Sequence, residues 1–370
     1  MPPTFSIFIP VYRESELLKP LLERLLDDPY AEKEIFVVVD EPTAKSLGMV
    51  RDFSGSVYFI WNGERKGKAN VLNELATKSK GDVLLFLDSD VMIDDSSKGF
   101  LHKIAEEIAD ADIVEMKKKV IRDSFLAKIV SYDYLSFNFT NWFFSRRLGK
   151  CLGINGAAFA IKRKAFEELG GFRRVIVEDL DIATRSFIKG LRYKFVKDIC
   201  INTRAPSSWS RWFEQRKRWG IGSALWFKEY FQNIIEIVKD HPGVLLPSLL
   251  FIFPSLPFFL FTLFMPDELY LKAIYVSMLV LSTQASLLLP PVAFTSTSIA
   301  FMRNLFVMVS SILAYFAVFY MIARKLEFIF NPVEFMFFYI IYSPLWLLII
   351  IASLVKVYVG IKKLNIDWKV

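Results

Sequence analysis

The sequence has 370 residues, of which 54% are hydrophobic, and 46 Lys and Arg against 39 Asp and Glu give a net charge of +7. Its mean hydropathy of +0.35 is high for a soluble protein, and the excess is concentrated from about Val244 to Gly360, so one region is aqueous and another suits lipid. The clusters Arg65-Lys66-Gly67-Lys68, Lys117-Lys118-Lys119 and Arg216-Lys217-Arg218 are separated by acidic motifs, which argues against the continuous basic stripe of a nucleic-acid binder and leaves phosphates or lipid headgroups to account for the charge.

The chain opens on an apolar run, Phe5 to Val11, with no basic lead or small-residue cleavage site before it. This is the pattern of a first β-strand rather than a secretory signal, and the aqueous region is expected on the cytoplasmic side. Two cysteines, Cys151 and Cys200, and two histidines, His102 and His241, supply no disulfide framework, metal spacing or histidine-based chemistry. Further strand patterns follow at Glu34–Val39, Val57–Trp61 and Val83–Leu87, with helical leucine spacing over Glu14–Leu26 and again over Ala69–Lys78. Nearly continuous apolar strands alternating with helices predict a mostly parallel sheet covered on both faces.

After Asp110 the pattern is less regular. A strand is predicted over Asp112–Val120, then an aromatic helical stretch from Ser124 to Phe144, a glycine-bearing segment from Gly149 to Phe159, and a helix near Lys164–Leu169. Val177 precedes Glu178, Asp179 and Asp181, acids that suit the first turn of a helix. Ser208–Val238 mixes Trp, Phe and Tyr with Arg and Lys, as helices at a membrane interface do. Apolar segments near 244–265, 270–293, 304–323 and 335–358 each approach the ~20 residues that span a bilayer core.

In sheets of this kind ligands bind beyond the carboxyl ends of the strands. Tyr12 to Glu14, Asp40-Glu41 and Asp88-Ser89-Asp90 all fall there. Asp88 and Asp90, one residue apart after a buried strand, can both face one hard cation, Mg2+ or Mn2+, that also bridges diphosphate oxygens; a turn or helix cap would use the same residues. Asp40 can accept from a nucleobase or ribose, or serve a solvated turn before Pro42. Arg65 to Asn70 puts a flexible glycine among cations ahead of a helix, which suits a diphosphate but lacks P-loop spacing. Glu178 and Asp179 can act as an acid–base pair or simply open a helix. Gln215, Arg218 and Trp219, at i, i+3 and i+4, share one helix face offering an amide, a guanidinium and an indole.

In this order, Ile9 to Glu14, Asp40, Gly67 to Asn73, Gly81-Asp82 with Asp88-Ser89-Asp90, Gly153 to Gly156, Glu178-Asp179 and Gln215-Arg218-Trp219 resemble the membrane-integrated family-2 glycosyltransferases. That group holds cellulose, chitin and hyaluronan synthases and ceramide glucosyltransferase. The resemblance implies an α/β, GT-A-type nucleotide-sugar-binding domain over 1–205, interfacial helices over 206–242, about four transmembrane helices over 243–360 and a cytoplasmic tail over 361–370. It implies that Pro10, Tyr12, Glu14, Asp40, Lys68 and Asp88 meet the donor nucleotide, and that Asp90 with Asp88 holds the metal. Asp179, beside Glu178, would be the general base, while Gln215, Arg216, Arg218, Trp219, Asn155 and Gly156 would face diphosphate and acceptor. The implied reaction is inverting transfer from a nucleotide-diphosphate sugar, most often a UDP-sugar, to a growing membrane-associated glycan; the alternative is one sugar passed to a lipid. The sequence departs from the family at Arg13, where Asn is frequent, at Glu41-Pro42 after Asp40, and at Val177, where cellulose synthases carry Thr.

Overall fold

The computed structural model describes residues 2–53, 55–95, 97, 99–257, 260, 267–284 and 296–360. Its centre is an eight-stranded sheet in the order β3-β2-β1-β4-β7-β6-β8-β5. The strands are β1 (Phe5–Tyr12), β2 (Lys33–Asp40), β3 (Tyr58–Asn62), β4 (Val83–Leu87), β5 (Val91–Ile93), β6 (Ile113–Val120), β7 (Ala158–Lys162) and β8 (Tyr193–Thr203). β3, β2, β1 and β4 pair in parallel. β7 runs antiparallel between β4 and β6, and β5 antiparallel to β8, so the sheet is mixed with parallel pairing dominant.

The alternation of each strand supplies two cores. Ile7, Ile9, Val37 and Leu85 face one layer with Leu18, Leu21, Leu22 and Leu25 of α1 (Leu18–Leu26) and Ile104 of α4 (Phe100–Ala109). Phe8, Phe36, Val38 and Phe86 face the other, against Val71, Leu72 and Leu75 of α3 (Lys68–Lys78). All five residues of β4 are buried, which is why a continuous apolar run belongs there rather than on an edge.

The helix expected from Glu14 begins instead at Leu18, because Arg13 takes a left-handed φ of 63° and Ser15 turns back to accept from the Leu17 amide at 3.3 Å. α2 (Ala44–Phe53), β5, α4, β7 and β8 form where the sequence carries no clear strand or helix pattern. The aromatic stretch forms α5 (Phe125–Leu148), closed by the Ser124 side chain accepting from the Ala127 amide and by Gly149 at φ 61°, followed by α6 (Arg163–Leu169) and α7 (Glu178–Ile188). α8 (Trp209–Glu229) and α9 (Phe231–Asp240) occupy the basic-aromatic segment.

The chain divides into two compact units, Met1–Ser248 with Leu348–Val370, and Leu249–Leu347. α10 (Pro242–Ile252) is a short apolar helix, followed by α11 (Asp267–Gln284). α12 (Ser296–Leu326) is followed by α13 (Pro332–Phe337), a π-helical turn over Phe338–Tyr342 and α14 (Ser343–Val359). Among the described residues, Phe301–Leu326 and Pro332–Val359 are long and apolar enough to cross a membrane. Parts of the segments near 244–265 and 270–293, together with the tail at 361–370, lie outside the described residues.

Candidate active site

The carboxyl ends of β1, β2 and β4 gather most of the acids singled out from sequence. Arg13 and Glu41 sit just past β1 and β2 with left-handed φ values of 63° and 52°. Their backbones continue the sheet hydrogen bonding for one residue, Arg13 to the Asp40 carbonyl at 2.9 Å and Glu41 to the Asn62 carbonyl at 3.0 Å. With Glu14, Pro42, Thr43 and Gly63 they line an open depression of about 590 Å³. Tyr12 stands beside them, its hydroxyl 3.1 Å from Glu41 Oε2 and its ring under the Arg65 guanidinium at 4.3 Å. Glu14 accepts from the Thr43 hydroxyl at 2.9 Å. Pro10 lies within β1, half-buried and paired with Val38.

Asp40 is only 7% exposed. Its Oδ1 accepts from Asn62 Nδ2 at 2.8 Å, and its Oδ2 accepts from the Lys66 and Gly67 amides at 2.9 and 3.1 Å. The carboxylate pins the turn that begins α3. Gly67, at φ 86°, allows that turn because a side chain there would be strained.

Lys68, first residue of α3, reaches across to the acids. Its Nζ is 2.6 Å from Asp88 Oδ1 and 3.5 Å from Glu178 Oε1. Burial works against the ammonium, but Asp88, Glu178 and Asp179 outweigh it and hold its proton more firmly than in a free lysine. Burial also pushes Glu178 up to about 7, with Lys68 opposing and Asp179 adding to the shift. Asp90 is pushed up to about 6 by lost solvation and then by repulsion from Asp88; because the residue is exposed on one side, water screens part of that effect.

Asp179 is held by backbone. Its Oδ2 accepts from the Gly156 amide at 2.9 Å and its Oδ1 from the Leu180 amide at 2.8 Å. Gly156 has no room for more, since a Cβ there would stand 2.9 Å from Asp179 Oδ2. The neighbouring Ala157 carbonyl accepts from the Asp88 amide at 2.9 Å, and the Asn155 side chain accepts from the Ala157 amide at 3.0 Å. One turn therefore touches the chain on both sides of the site.

Arg218 approaches the same acids. Burial lowers its proton affinity, while Glu178, Asp179 and Asp88 attract it. Gln215 and Trp219 of α8 are half-buried. Arg216 departs from expectation: grouped from sequence with the phosphate-facing residues, it is 0% exposed and its Nη2 lies 2.6 Å from Asp133 Oδ2 of α5. A guanidinium enclosed this way, with the Trp219 ring 4.6 Å off, ties α8 to α5 rather than facing a ligand.

A divalent cation fits the chemistry of Asp88 and Asp90, two hard carboxylates at one strand end. Among the described residues no group of three or more His, Cys, Asp or Glu could hold a metal alone, so diphosphate oxygens and water would have to complete six ligands. Sequence reasoning missed Glu115, which accepts from the Asn155 amide at 3.2 Å, and Tyr134, whose proton affinity is raised by burial and then by Asp90. Neither lies in a recognisable motif; only the folded sheet brings them in.

A mixed, mostly parallel sheet with acids gathered beyond β1, β2 and β4 is an architecture of the GT-A type. Residues 6–170 match glycosyl transferase family 2, and the chain carries a domain of that family. A probable glucomannan 4-β-mannosyltransferase of Arabidopsis thaliana is 36% identical over 85 residues, 23% of this chain and 16% of that protein. A poly-β-1,6-N-acetyl-D-glucosamine synthase of Staphylococcus aureus is 23% identical over 222 residues, 59% of this chain and 54% of that protein. The chain thus spans about half the length of that synthase. Among solved structures, the mannosyltransferase PcManGT of Pyrobaculum calidifontis, in complex with GDP-Man and Mn2+, superposes with a TM-score of 0.51 at 18% identity, covering 84% of this chain and 87% of that one; the likeness is one of fold.

Proposed function

We propose that this chain is an inverting, metal-assisted glycosyltransferase that moves a sugar from a nucleotide-diphosphate donor to a growing glycan at a membrane. One observation carries the reading: Lys68 joins Asp88 to Glu178, so the donor-side acid pair and the acid pair of α7 form one cluster rather than two sites. In it, Asp88 and Asp90 would hold Mg2+ or Mn2+, which when bound neutralises charge on the departing diphosphate. Tyr12, Glu14 and the depression beyond β1 and β2 would receive the nucleotide, with Asp40 fixing the turn beside it. Lys68 and Arg218 would place positive charge along the diphosphate.

Asp179 would take the proton from the acceptor hydroxyl as that oxygen attacks the anomeric carbon from the face opposite the leaving group. Its two backbone donors fix the carboxylate's direction. Gln215 and Trp219 would hold the acceptor, an amide for hydroxyls and an indole for a sugar face. The poly-N-acetylglucosamine synthase and the mannosyltransferase in complex with GDP-Man support a sugar-nucleotide donor; UDP-sugars are the first choice. The two membrane-length helices support a membrane setting with the catalytic unit on the cytoplasmic side.

The test incubates detergent-solubilised protein with UDP-N-acetylglucosamine, UDP-glucose and GDP-mannose, each with Mg2+ or Mn2+, then sizes the product and assigns its anomeric configuration by NMR. An inverted linkage in a ladder of glycans is expected. Asp90→Asn and Asp179→Asn should each lower turnover by about 10²–10⁴-fold. Unchanged turnover in either variant would remove that residue from the mechanism, and a single sugar on a lipid would replace the polymer reading.

A further inference from the structure

β6 buries a charge that the proposed chemistry does not use. Glu115 is 1% exposed, and Lys118, also 1% exposed, donates to its Oε1 at 2.7 Å. The same oxygen accepts from the Asn155 amide at 3.2 Å, while Oε2 accepts from Tyr193 at 2.6 Å and Asn141 at 3.0 Å. Four donors from β6, α5, β8 and the turn after Gly153 therefore converge on one carboxylate. An ion pair enclosed to this degree rarely adds net stability over apolar packing, since desolvation offsets the attraction. What it does fix is direction, because the lone pairs of both oxygens are engaged.

The direction matters because of what Asn155 is attached to. The next amide, Gly156, donates to Asp179 at 2.9 Å, and the next carbonyl, Ala157, accepts from the Asp88 amide at 2.9 Å. The geometry points to Glu115 as a positioning residue: by anchoring the Asn155–Ala157 turn it sets the aim of Asp179 and its spacing from Asp88. This inference rests on the reading of Asp179 as the base.

The test measures nucleotide release from the donors named above for wild type, Glu115→Gln, Tyr193→Phe, Asp179→Asn and the double variant Glu115→Gln with Asp179→Asn. Misaiming a reacting group by a fraction of an ångström lowers rate without loosening the donor. Glu115→Gln should therefore lower kcat about 10–100-fold while donor KM stays within about twofold; because Lys118 loses its counter-charge inside the domain the thermal midpoint should fall as well, and rates are compared well below it. Tyr193→Phe, which keeps the buried ion pair and loses one hydrogen bond, should lower kcat about threefold and keeps the inference testable should Glu115→Gln not fold. Added to Asp179→Asn, Glu115→Gln should cost almost nothing more, because residues acting through one group are not additive. Wild-type kcat in both Glu115→Gln and Tyr193→Phe, or an equal loss from Glu115→Gln with Asp179 already removed, overturns the inference. Wild-type turnover in Asp179→Asn overturns the base assignment instead, a separate result.

Discussion

Asp40 shows how a residue can be found in a sequence and its work still be hidden there. Its place at the end of β2 is readable, because an apolar run from Ile35 to Val39 stops at an acid. Its partners are not, since Asn62, Lys66 and Gly67 stand 22 to 27 positions further on and meet it only when β2 and β3 pair. The carboxylate replaces water for three donors, two of them backbone amides with no alternative partner at that turn. Asp40→Ala should therefore destabilise the domain by about 2–4 kcal/mol, read as a fall in thermal midpoint, with Asp40→Asn intermediate because one oxygen survives. A midpoint unchanged in Asp40→Ala would show that these bonds are replaced by water at no cost. Glu115 is the opposite case, a side chain invisible as a motif because its four donors come from four separate parts of the chain.

Elements with strong local patterns were legible: β1, β2, β4, α3 and α7 begin or end within two residues of the sequence expectation. β7 and β8 were not. β7 is five residues with two alanines, and the apolar face of β8 is interrupted by Lys197 and Asp198, opposite the register shift between Met116 and Lys117 of β6. α8 was read for one face and has three. Arg218 is drawn toward the acids, Trp212 and Arg216 are buried, and Gly220 meets α14 at Ile349 and Ser353. Gly222 is where α8 meets the start of α7: a Cβ there would lie 2.7 Å from Val177 and 3.0 Å from Ile176. Since Glu178 and Asp179 follow directly, Gly222→Ala should displace them and lower turnover about tenfold or more. Gly243→Ala, with nothing within 4 Å of its added carbon, is the control. Equal rates in the two variants would show that α7 and α8 adjust independently.

At the scale of the molecule, composition alone separates an aqueous region from an apolar one, while the last apolar helix belongs to the first unit from Leu348 onward. No periodicity in the sequence could reveal that membership. Phe301–Leu326 and Pro332–Val359 expose rows of large apolar residues, among them Phe306, Leu313, Met321, Leu348 and Ile351, far more than a soluble surface tolerates. The expected outcome is that the expressed chain sediments with membranes, resists alkaline carbonate and is released by detergent; recovery in the carbonate supernatant would place those helices against another protein surface instead.

Arg13 and Glu41 carry a last consequence. Two non-glycine residues held left-handed side by side store about 1–3 kcal/mol each, and both border the open depression beyond β1 and β2. Backbone strain is thus stored on the rim of the depression proposed for the nucleotide. A breeding programme that rewarded only heat resistance would drift toward glycine at both positions, and would trade away the guanidinium and the carboxylate that shape the rim.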